Sequence, residues 1–156
     1  MDLILWRHAD AFDPEAGQSD LDRALTPKGQ KQARRMADWL TSQLPEGCKI
    51  LVSPALRTRQ TVEALGRKFK IVAELAPGAA PEDVLRAVNW PLAKEPVLVV
   101  GHQPTLGQVA ALLLAGQALD WDMKKANAWW IAQRDPQDAE SLYLKAVMGP
   151  DLVMKS

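Results

Sequence analysis

One cysteine, two histidines and no net charge are the scarcities that constrain this 156-residue chain most. Cys48 has no partner for an internal disulfide, and the opening MDLILWRHAD lacks the basic start, long apolar stretch and small-residue cleavage site of an export signal. The expected compartment is therefore the reducing cytoplasm. The 19 basic and 19 acidic residues cancel, so no global field draws the chain toward nucleic acid or an acidic membrane surface, and anion binding must be local. Long apolar runs are missing too: VLVV at 97 to 100 and VAALLLA at 109 to 115 fall far short of the roughly 18 residues that cross a bilayer. Neither a nucleic-acid nor a membrane partner is expected. Cys48, between Gly47 and Lys49 with no histidine near it in sequence, is read as a loop-end residue rather than a nucleophile.

The 47% hydrophobic content fills one sizeable core, and residues 1–156 are expected to form a single domain. Residues 3 to 6, LILW, form an apolar run that ends at a charged pair, as a buried strand with functional residues at its carboxyl end would. After a polar loop from Asp10 to Ala24, Thr26 and Pro27 supply an N-cap and a first helical position. Ala33, Met36, Ala37 and Leu40 follow at helical spacing, and the helix is expected to stop near Pro45 to Gly47. Further along, the sequence predicts a strand at Lys49 to Val52, a helix through Leu56 to Phe69, a weak strand at Ile71 to Ala73 and a short helix at Pro81 to Val88. It then predicts a strong strand at Pro96 to Val100 and an apolar helix at Thr105 to Ala115. Ala128 to Ala132 and Leu142 to Val147 read as strands around the polar turn RDPQDAES. Alternating strands and helices predict an α/β domain, three layers in α/β/α order, with a mostly parallel sheet.

In such sheets ligands bind beyond the carboxyl ends of the strands. Three predicted ends carry the residues of chemical interest: Arg7-His8, Ser53 leading to Arg57, and Gly101-His102. Either histidine alone is best read as a structural or surface residue, since imidazole serves many roles. Both at one sheet edge favour a site. A metal centre is not expected, because neither histidine has a carboxylate or second histidine at helical spacing, and Asp10 is the only close carboxylate. Most arginines are solvated or paired, and Arg23, Arg34, Arg35, Arg59, Arg67, Arg86 and Arg134 are assigned to that class. Arg7 and Arg57 stand apart beside the predicted pocket, where a planar guanidinium can grip two oxygens of a phosphoryl group. The amino end of the helix near Pro54 adds partial positive charge.

Arg7-His8-Ala9 resembles the R-H-G or R-H-A signature of the histidine phosphatase superfamily, which includes the cofactor-dependent phosphoglycerate mutases. Leu25-Thr26-Pro27-Lys28-Gly29 resembles its L-T-x-x-G element, Ser53 to Thr61 its S-P-x-x-R-x-x-Q-T element, and Gly101-His102-Gln103-Pro104 its G-H-x-P element. The order and spacing agree, and the short length and the tail LYLKAVMGPDLV resemble the SixA group, the phosphohistidine phosphatases of bacterial phosphorelays. The resemblance implies a phosphoglycerate mutase-like fold and a monomer without metal or other cofactor. It implies that His8 attacks phosphorus, that Arg7, Arg57 and Ser53 bind the phosphoryl group, and that His102 contacts it from the opposite wall. Guanidinium groups beside His8 would lower its pKa from about 6.5 and keep it neutral, whereas His102 is expected to be protonated when phosphate is bound.

Members of the superfamily that cleave esters carry an acid in an L-x-E pattern after the third strand. Here that stretch is Leu75-Ala76-Pro77, leaving Glu74, Glu82 or Asp83 as substitutes. A leaving imidazole already carries the proton that an alkoxide must receive, so the absence favours phosphohistidine, and a phosphorylated protein such as a histidine phosphotransfer domain is the expected partner. The alternatives are a phosphatase of small phosphate esters and a non-catalytic phosphate-binding module; a mutase, which must shield its intermediate from water, is less favoured. Ala9 in place of glycine is a second departure, with no loss of activity expected. Among the six tryptophans, Trp39 is read as core, Trp129 and Trp130 as opposite faces of one strand, and Trp90 and Trp121 as loop-border residues open to a protein partner.

Overall fold

Alternation along the first strand divides the interior into two cores. In β1 (Asp2–Arg7), Ile4 and Trp6 enter one apolar cluster and Leu3 and Leu5 the other, and all four are fully buried. The computed structural model describes residues 1–154. On the Trp6 side lie α1 (Pro27–Gln43) and α2 (Leu56–Glu63), and on the Leu5 side α3 (Pro81–Ala87) and α4 (Thr105–Ala115). Between them runs a six-stranded sheet of order β3-β2-β4-β1-β5-β6. Its remaining strands are β2 (Lys49–Val52), β3 (Lys70–Ile71), β4 (Val97–Gly101), β5 (Ala128–Gln133) and β6 (Leu142–Met148). The first four strands of that order are parallel, and β5 and β6 add an antiparallel edge. The three expected layers and mostly parallel sheet are present.

Helix α1 starts as its sequence dictates: Thr26 Oγ1 accepts the Gly29 N–H at 3.0 Å and Pro27 takes the first turn. Two expectations change in extent. Helix α2 ends at Glu63 rather than Phe69, and the chain turns through Gly66 at φ +66°. Strand β3 is a two-residue edge, because the chain bends at Ala73–Leu75 to bury Leu75 in the second core. The tail hairpin joins the main sheet through β5 against β1, where Trp130 points into the first core and Trp129 packs against the second. Trp90 and Trp121 are half-buried against the second core, which accounts for both without a partner. Among the described residues, no helix is long and apolar enough to cross a membrane.

Sheet register fixes where the chemistry falls. Arg7 pairs with Gly101, and Val52 with Val100. The residues that follow these positions, His8, Ser53 and His102, therefore leave the sheet along a single edge.

Candidate active site

Each residue at this edge is tied down by the backbone of its neighbours. His8 N–H donates to the Gly101 carbonyl at 3.1 Å, and Ser53 N–H to that of Val100 at 3.1 Å. Ala9 N–H donates to Thr61 Oγ1 at 3.0 Å, while the Thr61 hydroxyl donates to the Arg57 carbonyl at 2.7 Å. Thus α2 holds the loop after His8 and carries Arg57 at the same time. Gln60 Oε1 accepts the Leu25 N–H at 2.7 Å, so the glutamine–threonine pair of the third motif serves as bracing. Asp10, the carboxylate considered for a metal, is bonded to Lys125 Nζ at 2.9 Å and to the Thr26 hydroxyl at 2.7 Å. Among the described residues, no group of three or more His, Cys, Asp or Glu side chains is arranged to hold a metal ion.

Gly29 explains the glycine of the second motif. A Cβ there would lie 2.0 Å from the Asp10 carbonyl oxygen, within the peptide that leads away from His8-Ala9. Helix and loop can meet this closely only without a side chain. Gly29→Ala is expected to destabilise the fold by about 2 kcal/mol and to lower activity by displacing the His8 loop; wild-type values in thermal unfolding and kcat/KM would contradict this.

His8 and His102 face each other with ring centroids 5.4 Å apart and planes inclined by 54°. Both are buried, at 7% and 3% exposure. His8 Nδ1 lies 2.7 Å from the Ala9 carbonyl oxygen. That oxygen can only accept, so Nδ1 carries the proton, and in the neutral ring the Nε2 lone pair is the free one. Burial, with added repulsion from Arg57, Arg7 and Arg23, pushes the His8 pKa down to about 4 against a raising effect of the Ala9 hydrogen bond. The guanidinium groups invoked from sequence thus contribute, but desolvation is the larger cause.

His102 Nε2 lies 2.7 Å from Ser53 Oγ, which also accepts the Ala55 N–H at 3.3 Å. A hydroxyl that accepts from Ala55 keeps one proton and one further lone pair, so its bond with Nε2 forms with either tautomer of the ring. Ser53, fully buried, is committed to His102 in this way. Burial, repulsion from His8 and the charges of Arg57 and Arg7 pull the His102 pKa to about 3, although Asp20 opposes the shift. His102 is therefore neutral at pH 7. The protonated form expected with phosphate bound needs the charge of the phosphate itself.

Arg7 Nη1 donates to the Met123 carbonyl at 2.8 Å, while Arg57 Nη1 and Nη2 donate to the Asp20 carbonyl and to Asp20 Oδ2 at 2.7 and 3.0 Å. Arg7 Nε, Arg57 Nε and His102 Nδ1 are buried without a protein partner. Unsatisfied buried donors are costly. Helix α2 begins without a side-chain cap and adds its first-turn dipole.

Sequence reasoning missed Asp20. Arg23, assigned to the solvated or paired arginines, is paired: its Nη1 bonds to Asp20 Oδ1 at 3.1 Å, and its charge also reaches His8. Burial pushes the Asp20 carboxyl up, but its bonds and charge pairing with Arg23 and Arg57 prevail and hold it below the usual range. The run S-D-L-D-R at 19 to 23 has no periodicity to separate it from ordinary loop charge. The three carboxylates considered as acids bond to none of the four pocket residues. Asp83 caps α3 through the Ala80 N–H and pairs with Arg86, and Glu74 and Glu82 are exposed. Cys48 is inert, its thiol pushed up to about 11 by burial.

Two buried histidines thus face each other at the carboxyl edge of this sheet, flanked by the half-buried Arg7 and the buried Arg57. The family model described as "Histidine phosphatase superfamily (branch 1)" matches residues 3–80, and the chain belongs to that superfamily. It is 36% identical over 125 residues to the phosphohistidine phosphatase SixA of Escherichia coli strain K12, an alignment covering 75% of this chain and 76% of that protein. A solved structure of the protein histidine phosphatase SixA complexed with tungstate superposes with a TM-score of 0.76 at 28% identity, covering 97% of this chain and 98% of that one. The chain is also 30% identical over 95 residues to human 6-phosphofructo-2-kinase/fructose-2,6-bisphosphatase 4, covering 58% of this chain and 20% of that enzyme.

Proposed function

We propose that the protein is a phosphatase that takes a phosphoryl group onto His8 Nε2 and passes it to water, and that its substrate is phosphohistidine in a signalling or phosphotransfer protein. The observation that carries this reading is the 2.7 Å contact of His8 Nδ1 with the Ala9 carbonyl, which leaves a neutral ring with its far nitrogen free to attack. In the first step the Nε2 lone pair forms an N–P bond as the bond from phosphorus to the substrate imidazole breaks. Water then attacks the phosphorylated His8, releasing orthophosphate and the free ring, so that no redox partner or cofactor is required. Arg7, Arg57 and His102 hold the phosphoryl oxygens through their guanidinium and ring N–H groups, and Ser53 holds the His102 ring in place.

The choice of phosphohistidine rests on the carboxylates. Asp20, which is bonded to the pocket arginine, is held in its ionised form and has no proton to give a leaving alkoxide at neutral pH. An imidazole leaving group that brings its own proton needs none. Two exposed apolar side chains, Phe12 at 53% and Leu21 at 41%, stand on the same segment as Asp20 and suit contact with a protein domain. The tungstate in the related SixA structure is an oxyanion of phosphate-like shape, in keeping with a phosphoryl pocket. A small-ester substrate is the second reading, favoured by the similarity to a protein whose name includes fructose-2,6-bisphosphatase.

Hydrolysis of a phosphohistidine peptide and of a phosphomonoester, compared with chelator present, separates the two. We expect the phosphohistidine to be preferred by at least about a hundredfold in kcat/KM, the order of one general-acid contribution. Equal rates on both would favour the ester reading.

A further inference from the structure

The hydrogen bonds of Arg57 lead to a residue that no motif contains. Arg57 is 4% exposed, and two of its N–H groups are held by Asp20: Nη1 by the backbone carbonyl at 2.7 Å and Nη2 by the carboxylate at 3.0 Å. The same carboxylate accepts from Arg23 at 3.1 Å. Its charge is felt at His102, across the pocket from His8. An anion entering the pocket therefore meets a negative group already seated on the guanidinium that should receive it. Asp20 itself is half in solvent, with its side chain 51% exposed. It sits on a three-residue 3-10 turn, Asp20–Asp22, capped by Ser19. That turn belongs to a segment closed at its base by the Ala11 to Leu25 bridge and by the Phe12 N–H to the Ala24 carbonyl at 2.9 Å. The residues from Phe12 to Asp22 are exposed, so the turn can lift without opening a core.

Resting on the phosphatase reading above, we propose that Asp20 is a specificity-determining residue: its carboxylate competes with the phosphoryl group for Arg57. Weakly bound anions fail to displace it, a phosphoryl group also held by Arg7 and His102 succeeds, and the orthophosphate left after hydrolysis is released because Asp20 returns to the guanidinium. The competing possibility is a strut, in which the same bonds only aim Arg57. The two make opposite predictions for Asp20→Asn. That substitution keeps the backbone carbonyl and an amide oxygen for both Nη groups and removes only the charge.

The test is a titration of wild type, Asp20→Asn and Asp20→Ala with inorganic phosphate, read by calorimetry, alongside steady-state hydrolysis of a phosphohistidine peptide. If Asp20 competes, Asp20→Asn binds orthophosphate about tenfold tighter, the order of one close charge interaction. KM for the peptide falls, kcat falls with it as product release slows, and Asp20→Ala shifts phosphate binding the same way. Unchanged or weaker phosphate binding in Asp20→Asn overturns the proposal and makes Asp20 a strut. A wild-type protein that turns over no phosphorylated substrate would overturn the phosphatase reading instead, while the phosphate titration would still report on Asp20 by itself.

Discussion

His8→Ala is expected to lower turnover of phosphohistidine by about a thousandfold or more, the order seen when a covalent nucleophile is removed. The substitution takes away the free lone pair of His8 Nε2, while Arg7, Arg57 and His102 remain in place to bind a phosphoryl group. Binding of inorganic phosphate should therefore survive, and titration reads it separately. Folding should survive as well: His8 N–H bonds to Gly101 through the backbone, which alanine retains. A protein that keeps its Tm and its phosphate affinity but loses turnover would place the defect in the chemical step. Residual activity above about a tenth of wild type would show that water attacks the substrate directly, since loss of a nucleophile cannot be so mild.

Acid should destabilise the protein earlier than carboxylate titration alone would. His8 and His102 have pKa values near 4 and 3 in the folded chain, both depressed first by burial, against 6.5 when unfolded. Below pH 6.5 the unfolded chain therefore binds protons that the folded chain refuses, and stability rises with pH across that window. Going down in pH, the loss begins near 6.5 and continues to about 4 for His8 and about 3 for His102, with a slope of roughly 1.4 kcal/mol per pH unit for each histidine. Above pH 7 the two rings contribute no slope. Urea denaturation at a series of pH values reads this directly, and His8→Ala should show the shallower slope of one remaining histidine. The same depression keeps the nucleophile neutral, so kcat/KM for the free enzyme should have no acid limb at pH 6.5 and decline only toward pH 4. An acid limb near pH 6.5 in kcat/KM, with no histidine-dependent slope of stability below pH 6.5, would mean that the rings are solvated in the folded state.

The fold was legible where local chemistry and tertiary packing agree. The cap at Thr26-Pro27, the apolar run VLVV and the helix at Thr105 to Ala115 each carry a short-range signal, and each formed with bounds close to expectation. The segment from Ala64 to Leu75 carried no such signal. Its path is decided by where Leu75 can be buried, which only the assembled core determines. The convergence of Arg7-His8, Ser53 and His102 followed from strand ends, because parallel register brings such ends together. Asp20 stayed hidden for the opposite reason: it lies on an exposed turn, and its bonds to Arg57 depend on long-range closure of a loop. Ser53 was legible as a position but not in its bonding, since the hydroxyl's commitment to His102 is set by a contact 49 residues away in sequence.

The central claim is that phosphorus becomes bonded to His8. Wild-type protein mixed with a phosphohistidine peptide, quenched within one turnover at alkaline pH where phosphohistidine survives, and digested for mass spectrometry tests it most directly. The account predicts one phosphoryl group on the peptide containing His8, appearing before orthophosphate is released and absent in His8→Ala. Orthophosphate released in the first turnover with His8 never modified, or the phosphoryl group found on His102, would contradict it.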